Sequence, residues 1–439
     1  MADSEKQQII TENIGIVDWA KQYLKWIPLP YQIPILTDQN KRIAIRLARQ
    51  LGKTETISVR SIFFAATNPN TTTLIVTPSL RQSQIMMDRI HSHLFRMDLE
   101  ERKKLIVKLQ RTVVRFRNGS MIVALPNSPN LLRGYTAHQI IADEAAFFAD
   151  DERVFYNTLF PMMSTTSGTL IASSTPWGKD SVFFRMCNDS NFSRYHFPWQ
   201  HGVKAGLIKQ DFIDEMRKLL SPERFRREYD AEFVEEAHAY FPTKLITNCI
   251  NADLDYWPFD VDCKGNFYIG VDLGKRVDFT VIAVIEQSEG NHHLRHIHQF
   301  PLETPYASVI GYLKILCEHY QNIRKVTVDR TGVGEYPVED MISSGIPNVE
   351  GAVFTLQSKE EMFGFMKQKM LQKQLFYPYD SELIGQINVE EFETTKSGYI
   401  RFYTPENAHD DALCALALAL YGCRAKVDIS PPVFKIVKW

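Results

Sequence analysis

The sequence lacks closely spaced cysteines, because its six cysteines are scattered and none forms a C-x-x-C pair. This absence argues against a zinc site and against a disulfide framework, so we expect reduced cysteines that pack. No apolar run approaches the roughly 20 residues that cross a bilayer. The first residues, MADSEKQQIITEN, have no secretory-signal pattern. We therefore expect a protein that works inside a cell and does not contact a membrane.

A strong excess of one charge is also missing, since the formal net charge is only -2. This balance argues against nonspecific coating of nucleic acid, but it leaves room for a local basic surface. The 439 residues, of which 44% are hydrophobic, are enough for two globular domains.

The first half alternates short apolar runs with helical patterns. The runs predict strands at residues 42–47, 71–77, 139–142 and 169–173, with a helix over 53–66 after the first of them. Such runs are typical of parallel strands that are covered on both faces. Within residues 111–125, Asn118-Gly119 predicts a hairpin with a type I′ turn.

The second half has a different organisation. Helical segments at 211–220 and 222–233 suggest a small lid, and a Pro-containing polar stretch is typical of a linker. Three strand-like runs from residue 264 onward predict an antiparallel meander, followed by helices and one more strand. The predicted divisions are 1–180 (core of the first domain), 181–235 (lid), 236–263 (linker), 264–425 (second domain) and 426–439 (tail).

The stretch LARQLGKT, Leu47 to Thr54, resembles a phosphate-binding loop without its first glycine. A loop between a strand and a helix presents N–H groups to phosphate oxygens. Lys53 would then contact the β- and γ-phosphates of ATP, and Thr54 would contact Mg²⁺. The alternative is that Gly52 only ends a turn and that Lys53 is solvated.

Two more polar clusters follow apolar strands. IIADE ends in Asp143, which can hold Mg²⁺ through water, and in Glu144, which can orient or deprotonate the attacking water. As an alternative, both acids cap the next helix. The SSTP cluster, residues 173–176, either senses the γ-phosphate or forms a turn.

Acidic residues mark a second candidate site. Asp272 and Asp329 end predicted strands, and Asp410 and Asp411 begin a predicted helix. Brought together, such carboxylates can hold two Mg²⁺ or Mn²⁺ ions for phosphodiester hydrolysis. Taken singly, each acid is equally well explained as a cap of a turn or helix.

The order of LARQLGKT, IIADE and SSTP resembles the large terminase subunit of tailed bacteriophages, in which the loop commonly has an arginine and no first glycine. The resemblance implies that Arg49 and Gln50 belong to the nucleotide-binding loop and that Tyr31-Gln32 contacts adenine. It also implies that Arg133 or Arg49 stabilises the transition state, one of them in the neighbouring subunit's site.

The strings D-x-G, D-x-T-G-V-G and H-D-D resemble those of the nuclease domain of the same family, which is RNase H-like. By this resemblance Asp272 is the first metal ligand and Asp329 the second, and the third lies among His409, Asp410 and Asp411. Asp278 is either a ligand or a group that fixes the loop. His409 either orients a carboxylate or caps the helix.

The resemblance implies an α/β protein with an N-terminal P-loop ATPase, built on a parallel-core sheet, and a C-terminal RNase H-like nuclease with a mixed sheet. Its implied activity is ATP-driven packaging of double-stranded DNA, with metal-dependent cutting of concatemers. The implied partners are the prohead portal protein, the small terminase subunit and further copies in a ring, in the host cytoplasm and not in the mature virion. The alternatives are a helicase-like ATPase with a nuclease for repair or restriction, and a non-catalytic assembly protein.

Overall fold

The computed structural model describes residues 14–234, 239–258, 263–274, 278–331, 336–394, 400–405 and 408–424. Contacts along the chain divide it into two compact units. The larger unit consists of Met1–Tyr256 and Lys369–Asp410, and the smaller one of Trp257–Gln368 and Asp411–Trp439. This division differs from the predicted domains, in which residues 264–425 formed one uninterrupted piece. The predicted tail, 426–439, and part of the predicted linker lie outside the described residues.

The larger unit is built on an eight-stranded sheet with the order β3-β4-β5-β2-β6-β7-β1-β8. From β5 to β8 in this order every neighbouring pair is parallel, whereas β3, β4 and β5 are antiparallel. The predicted parallel core is therefore confirmed. The strands are Arg42–Leu47 (β1), Thr72–Thr77 (β2), Ile106–Leu109 (β3), Val113–Phe116 (β4), Met121–Pro126 (β5), Gln139–Asp143 (β6), Thr169–Ser174 (β7) and Ser193–Phe197 (β8).

The smaller unit contains a mixed sheet. Within the unit its strands run in the order β13-β12-β9-β10-β11, with β13, β12 and β9 parallel and β9, β10 and β11 antiparallel. The predicted meander and mixed sheet are thus confirmed. The strands are Cys263–Asp272 (β9), Val281–Ser288 (β10), Asn291–Gln299 (β11), Tyr320–Asp329 (β12) and Val349–Ala352 (β13).

Helices cover both sheets, because the strands of each core are apolar on both faces. In chain order the helices of six or more residues are Ile16–Tyr23 (α1), Gln32–Thr37 (α2), Lys53–Thr67 (α3), Leu80–Phe95 (α4), Leu99–Leu105 (α5), Val182–Asn188 (α6), Trp199–Lys204 (α7), Gln210–Leu219 (α8), Pro222–Glu228 (α9), Thr243–Asn248 (α10), Tyr306–His319 (α11), Tyr336–Ser343 (α12), Leu356–Leu371 (α13), Ser381–Asn388 (α14) and Asp411–Gly422 (α15). Shorter helical turns are Pro129–Leu132, Ala145–Phe147, Asp151–Val154, Phe155–Leu159 and Phe160–Met162. In the part of the chain that the structure describes, no helix is long and apolar enough to span a membrane.

The predicted hairpin forms from β4 and β5, but its turn is not type I′. That turn requires positive φ at both central residues, and of Asn118 and Gly119 only Gly119 has it, at 83°. Asn118 instead donates from its side chain to the carbonyls of Ala65 and Ala66, at 2.9 and 3.0 Å. The asparagine therefore fixes the turn to the end of α3, a long-range role that overrides the local preference.

The segment Lys369–Asp410 completes the larger unit through strands Leu375–Phe376 (β14), Glu391–Thr394 (β15) and Ile400–Tyr403 (β16), with α14 between them. It is anchored on residues 239–256. The buried Tyr377 donates its hydroxyl to the carbonyl of Ile246 at 2.8 Å, and its backbone N–H donates to the carbonyl of Cys249 at 3.0 Å. A part of the sequence predicted to belong to the second domain is therefore built into the first.

Candidate nucleotide and metal sites

Three neighbouring strands of the larger sheet end side by side. Because β7 lies between β6 and β1 and all three are parallel, their carboxyl ends meet at one edge. The predicted loop follows β1, Asp143 and Glu144 lie at the end of β6, and Ser173 and Ser174 end β7. This edge is where ligands bind in open parallel sheets.

The loop after β1 joins α3 at a glycine in the left-handed backbone conformation. Gly52 caps α3 with φ 70° and ψ 29°. A Cβ atom at this position would lie 2.7 Å from Nε2 of Gln32. The positive φ therefore favours glycine here, and the atom near the Cβ position is the end of a flexible side chain that can shift. Leu47, at the position of the missing first glycine, is a buried strand residue.

Tyr31 and Gln32 support the loop from α2. The Tyr31 hydroxyl donates to the carbonyl of Leu51 at 3.0 Å, and Oε1 of Gln32 accepts from the N–H of Leu29 at 2.8 Å. Burial raises the pKa of Tyr31 to about 12, so the hydroxyl stays a donor near neutral pH. Tyr31 therefore braces the loop, whereas the bond of Gln32 holds the residues before α2. The contact of both residues with adenine stays a prediction.

Lys53 joins the loop to the acidic end of β6. Its Nζ lies 2.6 Å from Oε1 of Glu144 and 3.2 Å from Oδ1 of Asp143. Burial alone would lower the pKa of Lys53, but the two carboxylates outweigh it and raise that pKa above its usual value. Lys53 is therefore a fixed positive charge. The structure brings Lys53, Asp143 and Glu144 together, as expected from the sequence.

The two serines of SSTP hold the same acids. The Ser173 hydroxyl donates to Oδ1 of Asp143 at 2.7 Å, and the Ser174 hydroxyl donates to Oε2 of Glu144 at 3.1 Å. Glu144 also has a left-handed backbone, with φ 53°. The end of β7 is thus bonded to both carboxylates, and sensing of the γ-phosphate by SSTP stays a prediction.

Arg49 is turned toward α9. Its Nε forms an ion pair with Oε2 of Glu228, and its backbone N–H donates to the Glu228 carbonyl at 2.8 Å. Burial lowers the pKa of Arg49, but the charge of Glu228 outweighs this and raises it. The sequence placed Arg49 in the loop but gave no sign that Glu228 would hold its guanidinium.

Arg133 lies elsewhere in the larger unit. It follows the turn Pro129–Leu132 and is exposed. It is absent from the lining of the cavity that contains Lys53, Thr54 and Glu144. Exposure is what an arginine needs if it acts on a neighbouring subunit, and that role stays a prediction.

A cavity of about 560 Å³ contains the loop, and one of its walls was not predicted. The loop side consists of residues 47–55, and α9 contributes Arg224, Arg227 and Glu228. The unpredicted wall comes from the segment Lys369–Asp410. Its lining residues are Tyr379, Ser381, Gly385, Asn388, Val389, Glu391 and Pro405. No local sequence signal marks these residues, since their position depends on long-range packing.

The second candidate site is built on two neighbouring strands of the smaller unit. Parallel strands β9 and β12 pair Val271 with Val328, so Asp272 and Asp329 follow at adjacent strand ends. Asp329 is 8% exposed, and its Oδ1 accepts from the N–H and the hydroxyl of Thr331 at 2.8 and 2.6 Å. Burial raises the pKa of Asp329, and the bonds from Thr331 partly oppose this.

Helix α15 brings a further acid to the smaller unit. Its first residue, Asp411, is 4% exposed, and a carboxylate oxygen lies within 4.8 Å of one from Asp278. The helix packs closely on β9 because Gly270 has no side chain there: a Cβ would lie 3.0 Å from Cβ of Leu418. Asp278, which the sequence left undecided, is thus placed beside Asp411. His409 and Asp410 lie immediately before the helix, in the part of the chain that groups with the larger unit.

Cations on α13, after it and on the hairpin of β4 and β5 differ in their exposure. Arg115, Arg117 and Lys373 are exposed, whereas Lys359, Lys367 and Lys369 are half-buried. Lys369 donates to Oε1 of Gln374 at 2.8 Å, and Arg117 donates to the carbonyl of Lys103 at 2.6 Å. These contacts favour partly structural roles for both residues.

Known sequences of large terminase subunits are similar to this chain. Residues 45–248 match the family described as "Terminase large subunit, T4likevirus-type, N-terminal". The chain is 26% identical to the large terminase subunit of Thermus phage G20c and 25% identical to that of Thermus virus P23-45. Each alignment spans 455 residues and covers 91% of this chain and 88% of the relative.

Solved structures of large terminases align with this chain over its parts or over most of its length. The ATPase domain of the Thermus phage P74-26 large terminase has 25% identity and a TM-score of 0.44, covering 51% of this chain and all of that domain. The large terminase nuclease of phage G20c, in a structure with bound magnesium, has 25% identity and a TM-score of 0.33, covering 38% of this chain and 84% of that one. The HK97 large terminase has 12% identity and a TM-score of 0.44 and covers 94% of this chain.

Proposed function

We propose that the chain is a large terminase subunit, the ATPase and endonuclease of a DNA-packaging motor. The observation that carries the proposal is the contact of Lys53 with Asp143 and Glu144 at the carboxyl ends of neighbouring strands, where Lys53 and Glu144 line a cavity. Membership of the family implies what the two activities accomplish. ATP hydrolysis moves double-stranded DNA into a prohead, and the nuclease cuts the concatemer.

In the nucleotide site, the residues divide the work by their chemistry. Lys53 provides a positive charge for the phosphates, and Thr54 and Asp143 are the residues that would hold Mg²⁺. Bound Mg²⁺ neutralises phosphate charge. Glu144 orients the attacking water and accepts its proton, while Ser173 and Ser174 keep both acids in place.

In the nuclease site, Asp272, Asp329 and Asp411, with Asp278 or Asp410, would hold Mg²⁺ or Mn²⁺. The donor set suits these hard cations because it consists of carboxylate oxygens, and the oxygens of Asp278 and Asp411 are already within 4.8 Å of each other. Ions held by these acids, two in number by the family resemblance, would supply positive charge for phosphodiester hydrolysis. The chain's own part is to fix the acids on two strand ends and a helix start.

The proposal extends to partners and location. The portal protein, the small terminase subunit and a ring of copies follow from the family, and the exposed Arg133 is suited to act in a neighbouring copy. The host cytoplasm is the compartment in which such a motor works before the virion matures.

ATP hydrolysis and plasmid cleavage, measured on the wild type, Glu144→Gln and Asp329→Ala, test the two activities. We expect the first variant to lose only hydrolysis and the second only cleavage. Glu100→Gln is the matched control, because Glu100 is exposed and forms a surface ion pair with the exposed Lys103 at 3.1 Å. Loss of both activities in either folded variant would contradict two separate sites, and purified proheads that do not fill with DNA in the presence of the wild type and ATP would contradict packaging.

A further inference from the structure

The last turn of α9 places two consecutive charged residues in the nucleotide cavity. Glu228 holds Arg49 through an ion pair. Arg227 lines the same cavity as Lys53 and Thr54. Arg226, one residue earlier, points to a different environment, since it is 53% exposed and forms an ion pair with Glu232 at 2.8 Å. The helix therefore directs one particular arginine toward the cavity.

Two contacts fix the guanidinium of Arg227. It lies over the ring of Trp177, with 4.3 Å from Cζ to the ring centroid. Trp177 directly follows SSTP, whose two serines bind Asp143 and Glu144. The second contact is a bond from Nη1 of Arg227 to Oδ1 of Asn388 at 2.7 Å. The two contacts hold the plane of the guanidinium in one orientation.

Asn388 comes from the C-terminal half of the sequence. It ends α14, which lies in the segment Lys369–Asp410 of the larger unit. The helix is fixed at its start by Asp380, whose Oδ2 accepts from the hydroxyl of Tyr256 at 2.9 Å. After the helix, the carbonyl of Glu390 accepts from the N–H of Tyr240 at 2.8 Å. Asn388 is 7% exposed, and its helix is held at both ends.

We propose that Arg227 binds a phosphate of the nucleotide and that Asn388 is the residue that positions it. The inference rests on the proposed ATPase function and adds a residue pair that none of the sequence motifs contains. A planar guanidinium that stacks on an aromatic ring and donates to a buried, fixed asparagine is pre-organised for phosphate binding. The consequence is that a residue from the C-terminal half helps to form the nucleotide site of the N-terminal half.

The test measures dissociation constants of ADP and ATPγS, with KM and kcat for ATP, on full-length variants. Removing one charge-assisted hydrogen bond weakens binding by about tenfold to a hundredfold, so we expect Arg227→Ala to show a loss of this size. Arg227→Lys should recover part of it, because lysine keeps the charge but not the planar stack. Asn388→Ala should weaken binding by a smaller factor, and it should add nothing when Arg227 is already alanine.

Arg226→Ala is the matched control, and it should bind both nucleotides like the wild type. Weakening for ATPγS alone would place the contact at the γ-phosphate, and weakening for both would place it at the α- or β-phosphate. If Arg227→Ala binds nucleotide as tightly as Arg226→Ala, and Lys53→Ala still abolishes binding, the inference is overturned but the proposed ATPase function is not. Wild-type protein that binds neither nucleotide would overturn the proposed ATPase function as well. Melting temperatures of the variants separate a loss of positioning from a loss of folding. If Asn388→Ala lowers the nucleotide affinity by the same factor in the wild type and in Arg227→Ala, Asn388 does not position Arg227.

Discussion

Replacing Lys53 by methionine tests how strongly the lysine and its two acids depend on one another before nucleotide binds. The side chains of Lys53, Asp143 and Glu144 are only 13%, 10% and 19% exposed. Methionine keeps most of the apolar stem but leaves two neighbouring carboxylates without their cation. Breaking a buried pair by removing one partner costs about 3–5 kcal/mol.

The lower end of this range applies here, because Ser173 and Ser174 still donate to the two acids. We therefore expect a loss of about 3 kcal/mol at pH 7. For a unit of this size, that corresponds to a melting temperature lower by roughly 6 °C. Differential scanning calorimetry of the nucleotide-free protein measures it.

The pH dependence of this loss has a definite sign. The carboxylates raise the pKa of Lys53 in the folded protein above its unfolded value, which is about 10.4. The stabilisation is then fully present below the unfolded pKa and is lost as the pH rises through the folded one. The difference in stability between wild type and Lys53→Met should persist from about pH 7 to about pH 9 and shrink only in stronger base.

The double variant Lys53→Met with Glu144→Gln is the internal control, because it removes the carboxylate that lies nearest to Nζ. It should be more stable than Lys53→Met alone. If Lys53→Met melts with the wild type, or if the double variant gains nothing, the lysine does not compensate buried charge and the argument fails.

Three further changes test other parts of the sites. Gly52→Ala should lower stability by about 1 kcal/mol or more and weaken nucleotide binding, since residue 52 has positive φ. Calorimetry and ADP titration measure both effects, and an unchanged protein would contradict the need for glycine. Ser173→Ala should lower kcat for ATP more than it raises KM, because Asp143 loses its 2.7 Å bond; unchanged kinetics would show that β7 plays no part. Asp278→Asn should weaken Mn²⁺ binding, measured by titration calorimetry, and leave ATP hydrolysis intact; wild-type Mn²⁺ affinity would leave Asp278 as a loop residue only.

The nucleotide site was largely predictable because its main residues follow strands. In a parallel sheet the ends of neighbouring strands meet at one edge, so a loop after β1 and acids at the end of β6 must lie close together. The proximity of Lys53 to Asp143 and Glu144 was therefore predictable from the sequence. It predicted where Arg49 lies but not its direction, because the direction depends on Glu228, which lies far along the chain.

The candidate metal site was predictable only for the acids at its strand ends, for the same reason. Asp272 and Asp329 end neighbouring strands, whereas the approach of Asp278 to Asp411 depends on how a loop and a helix pack. The turn at Asn118 shows the opposite case. Its dipeptide has a strong local preference, and a bond to the distant end of α3 decides the outcome.

The segment Lys369–Asp410 has the strongest consequence for dissecting the chain, because no sequence pattern separates it from the strands before it. A fragment that ends at Tyr256 would contain the loop, Lys53 and both acids, but it would lack Asn388 and the wall of the cavity. It would also expose the surface around Ile246 and Tyr240 that now packs against Tyr377 and Phe402. We therefore expect this fragment to be less stable than the larger unit in the full chain and to bind nucleotide more weakly. Adding Lys53→Ala should abolish the remaining binding, and a fragment with full-length affinity would show that the wall takes no part in the site.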